Sequence, residues 1–250
     1  VSINNATVLQ RLEDLYRPYK QKRRTKATIA KEKGLEPLAA LIMTFPKESI
    51  SKLAEGYLNE ELEVLSVEDA LLGARDILAE QFADDAKIRE QIRNITRADG
   101  KIITSVKKAE LDEKNVFEMY YEYEEPVKKI VPHRILAVNR GEKEDILKVA
   151  LQVPMEKAAN VMKTHWIKPS SSDAVEQIEL AVEDSYKRLI QPSVEREIRA
   201  ELTEKAEAQA IHIFSENLRN LLLQQPLKGK VILGVDPAYR TGCKLAVVDD

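Results

Sequence analysis

Apolar residues recur at helical spacing through most of residues 5–225. Ser66 precedes two acidic residues and an apolar series, which is the pattern of a capped amphipathic helix. The apolar positions of that series are 70, 71, 74, 77, 78 and 82. Residues 84–98 begin with acids, carry isoleucines on one face and end before Gly100, a typical C-cap residue. These patterns predict a mainly helical chain.

The hydrophobic pattern is less regular in three segments of residues 101–153. Residues 101–106 are rich in β-prone side chains and predict a short strand. Residues 107–125 predict a further helix, ended by Pro126. Residues 133–153 predict a short helix that stops at Gly141, followed by a second segment that periodicity assigns to neither helix nor strand.

The last third of the helical region predicts two long helices that meet at Pro192. Ser172 and Asp173 can cap the first, and Pro192 suits the first turn of the second. The second helix, residues 193–224, is apolar at every fourth position from 194 to 222. At 100° per residue such a stripe drifts by about 40° at each step, so we expect different neighbours to pack along its length. A free coiled coil, with a mean spacing of about 3.5, is disfavoured.

The pattern changes to two β-prone runs after Pro226. Residues 230–236 and 243–249 flank a turn at 237–242 and predict a β-hairpin. An isolated two-stranded hairpin is marginally stable, so further strands or the helices must support it. We expect its free edges to recruit another chain or a neighbouring surface.

Composition narrows the protein class. Eight glycines in 250 residues are too few for an all-β fold with many tight turns. With 44% apolar and 32% charged residues, the chain is expected to form a folded core. Its 39 Lys and Arg against 42 Asp and Glu give a net charge of −3, so any polyanion site must be a local patch.

Targeting and redox features are sparse. One cysteine, Cys243, excludes an internal disulfide, and three scattered histidines form no zinc-type spacing, which favours a reducing cytoplasm. The sequence lacks both an apolar run of about 18 residues and a signal-peptide pattern at its start. Because it begins at Val1 and stops directly after a strand-like run, we interpret it as a piece of a longer protein.

The strongest local concentration of charge lies between residues 11 and 33, which contain nine Lys or Arg and only three acidic residues. The candidate nucleic-acid-binding residues are Lys20, Lys22, Arg23, Arg24 and Lys26. Cations of this kind neutralise phosphates, and Tyr16 and Tyr19 offer stacking faces nearby. The alternative to nucleic-acid binding is that this segment is a solvated loop, or a loop that pairs with the acidic residues 118–125.

Asp236 ends the first strand of the predicted hairpin. One carboxylate there could serve as an oxygen ligand for Mg²⁺ in phosphodiester cleavage, but that chemistry needs two or three converging carboxylates. Asp-Pro is also an ordinary start of a turn.

The histidines and the tyrosine cluster suggest structural roles. His133, His165 and His212 have no partner at triad or metal spacing. Tyr120, Tyr121 and Tyr123 lie among acids, which favours core packing or a protein interface over base stacking.

Three long motifs carry a family resemblance. They are LEDLYRPYKQKRRTKATIAKEKGLEPLA from Leu12, PHRILAVNRGE from Pro132 and GVDPAYRTGCKLAVVD from Gly234. In this order the chain resembles the bacterial Tex family of transcription accessory proteins. The resemblance implies a helical N-terminal region, a YqgF domain of RNase H-like fold, helix-hairpin-helix elements and an OB-type RNA-binding domain. Only the helical region and the first hairpin of the YqgF domain would lie within these residues.

One departure from the family pattern concerns the candidate metal ligand. The first strand in this family usually reads Asp-Pro-Gly, and Ala238 replaces that glycine here, which disfavours a positive φ or a close backbone approach. We therefore interpret Asp236 as a vestigial or incomplete ligand and expect no catalysis, no metal and no cofactor.

The predicted fold class is mainly α, a multi-helix body at residues 1–228 followed at 229–250 by the opening β-hairpin of a truncated RNase H-like α/β domain. The predicted function is a non-enzymatic scaffold in a nucleic-acid-binding transcription accessory protein, with RNA or DNA and the transcription machinery as partners and no membrane. The alternatives are a metal-dependent nuclease or resolvase that uses Asp236, and a pure protein-interaction module.

Overall fold

The computed structural model describes residues 6–21, 23–225, 227–238, 240 and 242–249. Residues up to Glu207 form one compact unit, and those from Ala208 onwards form a second. The helices are α1 (Leu9–Tyr16), α2 (Lys26–Glu32), α3 (Glu36–Ile42), α4 (Ile50–Glu55), α5 (Val67–Ala83), α6 (Ala86–Asp99), α7 (Pro132–Lys143), α8 (Met155–Trp166), α9 (Ala174–Asp184) and α10 (Gln191–Leu222). The strands are β1 (Lys101–Val106), β2 (Glu122–Pro126), β3 (Leu147–Gln152), β4 (Ile232–Asp236) and β5 (Lys244–Val248). The chain is mainly α, as the sequence predicted.

Local capping explains where the first predicted helices begin. The Ser66 hydroxyl accepts a hydrogen bond from the Asp69 N–H at 3.1 Å and starts α5. The Asp85 carboxylate accepts from the Ile88 N–H at 2.8 Å and starts α6. Both side chains satisfy donors that the first helical turn leaves unpaired. The predictions for these two helices are confirmed.

Helix α5 forms the centre of the first unit. It packs against α2, α3 and α9 and buries Ile77, Leu78 and Phe82. At Gly73 a Cβ atom would lie 2.3 Å from Leu35 Cδ1, so a side chain at this position would force the buried Leu35 side chain to move. Of the helices described, none is long and apolar enough to cross a membrane.

The helix predicted over 107–125 is wrong. This segment forms short 3₁₀ turns at Ala109–Leu111 and Glu118–Tyr120 and then enters β2. The buried Asp112 carboxylate accepts hydrogen bonds from the Val116 and Phe117 N–H groups at 2.8 and 2.7 Å. Because these amides bond to a side chain instead of to carbonyls four residues earlier, the backbone wraps around Asp112.

Strands β2, β1 and β3 form an antiparallel sheet in that order. The segment that periodicity left open is therefore strand β3. The predicted helix stop at Gly141 is wrong, because α7 continues to Lys143 and the chain turns at Asp145, where φ is +63°. Gly141 instead packs against β3, since an added Cβ would lie 2.6 Å from Leu147 Cδ1.

The two helices predicted to meet at Pro192 form one continuous helical run. A wide π-type segment, Ser185–Ile190, joins α9 to α10, and the Gln191 N–H bonds to the Tyr186 carbonyl five residues earlier. Pro192 has no N–H and cannot donate the helical hydrogen bond to the carbonyl of residue 188. The π geometry just before it accommodates this missing bond.

The predicted packing along α10 is found in its first half only. Val194, Ile198 and Ala206 are buried in the first unit. Beyond residue 207 the stripe is exposed, with Phe214 at 67% and Leu222 at 73% of full exposure. The second unit thus presents apolar side chains on its own surface.

The predicted hairpin of residues 230–249 is confirmed as β4 and β5. Its register runs from Ile232 opposite Val248 to Asp236 opposite Lys244. Apolar side chains of both strands, including Leu233 and Leu245, are exposed within the described residues. Its recruitment of another surface stays a prediction, as does the assignment of residues 229–250 to a separate domain.

The first testable prediction concerns Asp145, which lies just before β3 and links its start to the residues that follow the end of β1. The hydrogen bonds from Lys107 and Lys108, which follow β1, lower the pKa of this carboxyl from 3.8 to about 2. Because the pKa of Asp145 is lower in the folded chain than in the unfolded chain, its ionised carboxylate stabilises the fold at pH values above the unfolded pKa. This stabilisation is lost as the pH falls from about 4 to about 2. We expect Asp145→Asn, which tolerates the left-handed backbone, to be less stable than the native chain at pH 5, with the difference shrinking in that window.

Urea denaturation at pH 5, 4, 3 and 2.5 measures this difference. Glu113→Gln is the matched control, because Glu113 is exposed and makes no ion pair with any described residue. A difference that stays constant from pH 5 to pH 2.5 would contradict the prediction.

Candidate nucleic-acid interface

The predicted basic segment connects α1 to α2. It passes through a 3₁₀ turn at Arg17–Tyr19 and becomes extended at Lys20. Thr25 ends it with a capping box, since its side chain accepts from the Thr28 N–H at 3.1 Å while Thr28 Oγ1 accepts from the Thr25 N–H at 2.6 Å. Lys22 lies outside the described residues. We call residues 16–26 the basic arm.

The candidate cations of the basic arm are exposed. Lys20, Arg23, Arg24 and Lys26 all have solvent-accessible side chains. Arg24 pairs with Glu32 at 3.2 Å, where both side chains remain exposed. Lys20 and Arg23 make no ion pair with a described residue, so their charges face solvent.

The other cations between residues 11 and 33 each form an ion pair with an acidic side chain. Arg11 pairs with Glu90, Arg17 with Asp84, Lys31 with Glu36 and Lys33 with Glu63. Within the described part of the chain, no ion pair joins this region to the acidic residues 118–125. The four described candidates, Lys20, Arg23, Arg24 and Lys26, lie on one exposed segment, and their role in binding stays a prediction.

Two groups of tyrosines differ in their surroundings. Tyr16 and Tyr19 on the basic arm are 54% and 77% exposed, so their rings can accept a stacking partner. Tyr120 is buried and meets Tyr123 edge-on at 5.3 Å between ring centres. Burial, with the hydrogen bond to Glu125, raises the pKa of Tyr123 to about 12. Tyr120 and Tyr123 therefore serve core packing, the first of the two interpretations given for this cluster.

A buried ion cluster lies beneath the basic arm, and sequence reasoning missed it. Asp14 of α1 is 2% exposed and accepts from Arg89 Nε at 2.9 Å and from an Arg93 terminal nitrogen at 2.7 Å. Glu197 of α10 accepts from the same two arginines at 2.5 and 3.1 Å. Ser193 accepts from Arg89 at 2.9 Å. These five residues join α1, α6 and α10.

The charges of the cluster balance, which permits their burial. Burial alone would lower the pKa of Arg93, but the hydrogen bond and charge of Asp14, assisted by Glu197, raise it. A signal for this arrangement was present in the spacing. Arginines occur at every fourth position from 89 to 97 and glutamates at 197 and 201, and the ladder continues with Arg97 and Glu201 at 2.8 Å.

Among the described residues, Asp236 has a cation as its cross-strand neighbour, and His165 has Asp85 Oδ2 at 3.9 Å from its Nε2. Asp236 ends β4 directly opposite Lys244 of β5, so its register partner is a cation and not a second carboxylate. Across the described residues, no group of three or more His, Cys, Asp or Glu side chains is arranged to hold a metal ion. His165 lies edge-on to Trp166, which stacks on Phe82 at 4.5 Å between ring centres.

Comparison with known proteins gives the family. A family model described as Tex central region-like matches residues 46–214. The chain belongs to the Tex family. The matched region starts after the basic arm and ends within α10, so it covers most of the first unit.

Relatives extend the match across the whole chain. The uncharacterized protein YdcI of Bacillus subtilis is 58% identical over 250 residues, covering 99% of this chain and 35% of the relative. The transcriptional accessory protein Tex of Neisseria gonorrhoeae is 39% identical, covering 96% of this chain and 32% of the relative. The human S1 RNA-binding domain-containing protein 1 is 35% identical, covering 98% of this chain and 26% of the relative. The chain thus spans about a third or less of these Tex relatives.

The second testable prediction concerns the ion cluster. We expect Arg89→Met to lower the free energy of unfolding by about 3–5 kcal/mol, because it leaves the buried Asp14 carboxylate and the partly buried Glu197 carboxylate with too little positive charge. Arg97→Met is the matched control from the same helix face. Its partly exposed pair with Glu201 should contribute less than about 1 kcal/mol. Equal losses in urea denaturation of the two variants would contradict this prediction.

Proposed function

We propose that this chain is a non-enzymatic, nucleic-acid-binding part of a transcription accessory protein, and that Lys20, Lys22, Arg23, Arg24 and Lys26 bind phosphates. The observation that carries the proposal is the exposure of Lys20 and Arg23 without an ion-pair partner among described residues. The relatives named transcriptional accessory protein and S1 RNA-binding domain-containing protein support the same class of ligand.

The basic arm suits binding that ignores nucleotide sequence. Lysine and arginine that neutralise phosphates release counterions, and this gain is independent of the bases. Arg24 can exchange its exposed Glu32 partner for a phosphate, because such surface pairs are weak. The net charge of −3 opposes attraction at long range, so we expect weak affinity.

We assign the helical region to residues 1–228 and the opening strands of an RNase H-like domain to residues 229–250. The antiparallel β4–β5 pair and its exposed apolar side chains support this division, since such strands need additional neighbours for stability. Further proposals are a cytoplasmic location and contact with the transcription machinery.

A metal-dependent nuclease is the competing function. The described residues around Asp236 do not fit a magnesium site, which needs several oxygen ligands, because the residue opposite Asp236 is Lys244. The ammonium group would also compete electrostatically with a divalent cation. We therefore derive no chemical step from this carboxylate.

The third testable prediction concerns the basic arm. Replacing Lys20, Lys22, Arg23, Arg24 and Lys26 with Gln should flatten the slope of log K against log salt by about three to four, because most of the five are expected to contact a phosphate and each contact contributes roughly 0.7 to 0.9. The native dissociation constant should be about 10⁻⁴ to 10⁻⁶ M. Fluorescence anisotropy with a labelled oligonucleotide at several salt concentrations measures both quantities.

A matched control removes equal charge from other surfaces. It replaces five exposed lysines, namely Lys87, Lys114, Lys128, Lys129 and Lys148, with Gln. The control should keep the native slope. If both quintuple variants change the slope equally, binding follows total charge and the basic arm is not the site.

The fourth testable prediction separates the two functions. Titration calorimetry of the native chain with MgCl₂ or MnCl₂ should detect no tight binding, and Asp236→Asn should leave stability and nucleic-acid binding unchanged. Micromolar binding that disappears in Asp236→Asn would reject this assignment and favour the nuclease.

A further inference from the structure

A cavity of about 420 Å³ lies between α8 and the π-type segment Ser185–Ile190. Met155 and Ala159, one turn apart on α8, contribute to its lining. Tyr186 of the π-type segment lines it as well. The volume is within the range of small-molecule sites in proteins.

The hydroxyl group of Tyr186 has no hydrogen-bond partner among the described residues. The residue is only 3% exposed. Burial raises the pKa of its phenol, and no hydrogen bond or charge contributes to this shift. The phenol therefore stays protonated and can donate. Because a buried hydroxyl without a partner costs free energy, we expect its acceptor to come from a molecule in the cavity that Tyr186 lines.

The charges around the cavity do not favour an anion. Lys163 lies 3.0 Å from the Glu179 carboxylate. Lys187 lies 3.4 Å from the carboxylate of Glu183, which also lines the cavity. Glu156, in the first turn of α8, adds a second carboxylate to the lining. Two lysines and two glutamates therefore balance in the lining, and both lysines already have a carboxylate partner.

The apolar part of the lining suits an aromatic ring. Met155 is 46% exposed, and a methionine thioether adapts its shape and makes favourable contacts with aromatic rings. Ala159 has only a methyl group as its side chain, which leaves room for a flat group beside α8.

We propose that this cavity binds a small, neutral aromatic molecule whose ring packs against Met155 and whose hydrogen-bond acceptor bonds to the Tyr186 hydroxyl. The inference goes beyond the proposed function, since no lining residue belongs to the basic arm. The backbone around Tyr186 supports it, because π-type turns within α-helices occur frequently at functional sites.

The experiment uses benzamide, a neutral aromatic ring with a carbonyl acceptor, as the probe. The whole chain is labelled with ¹³C at its methionine methyl groups and titrated while NMR follows their resonances. The Met155 resonance, identified by its absence in Met155→Leu, should shift and saturate in the millimolar range expected of so small a ligand. The resonance of Met119, which is 73% exposed and lies outside the cavity, should stay constant. Benzoate, an anion of similar shape, should bind less tightly.

Two variants test the role of the hydroxyl. Tyr186→Phe keeps the buried ring, so it should weaken benzamide binding about two- to tenfold, the range for one neutral hydrogen bond. The same variant should leave the binding of toluene, which has no acceptor, unchanged. Tyr120→Phe is the matched control, because Tyr120 is also buried but does not line the cavity. It should bind benzamide as the native chain does.

Three results would overturn the inference. The first is a Met155 resonance that no probe shifts, or that shifts only together with Met119. The second is equal binding of benzamide by the native chain and Tyr186→Phe. The third is tighter binding of benzoate than of benzamide, which would show that the cavity takes an anion. None of them bears on phosphate binding by the basic arm, which the salt dependence tests separately.

Discussion

The balance of charge in the ion cluster of Asp14, Arg89, Arg93 and Glu197 is the constraint that links three distant helices of the first unit. Asp14, Arg89 and Arg93 are buried and Glu197 is partly buried, and each guanidinium bonds to both carboxylates. Such a set is stable only when complete, because loss of one member leaves a buried charge without compensation. Segments that are far apart in the chain, α1, α6 and α10, are therefore held in one arrangement.

This constraint reaches the candidate interface through α1. Asp14 lies on the buried side of α1, and Tyr16 is two residues further along on an exposed part of the same helix. The 3₁₀ turn and the capping box of Thr25 limit the remaining freedom of the basic arm. A surface held in place before binding loses less conformational entropy when a ligand arrives.

Local signals in the sequence determined much of the fold and the position of the basic arm. Ser66 and Asp85 start helices through hydrogen bonds to amides three residues away, and such interactions depend only on neighbouring residues. The β-prone run of β1 and the β4–β5 hairpin follow from the same short-range preferences. The concentration of cations and the Tex motifs are likewise visible without coordinates.

Only the tertiary structure decided the features that depend on distant partners. Asp112 overrides the helical pattern of its segment because a buried carboxylate must be satisfied, and here backbone amides satisfy it. Gly141 lies inside α7, and its missing side chain leaves room for Leu147 of β3. The burial of Asp14 required Arg89 and Arg93, which lie at least 75 positions away. The sequence alone determined those helix and strand ends that depend on local hydrogen bonds. Long-range packing and charge compensation decided which polar residues are buried.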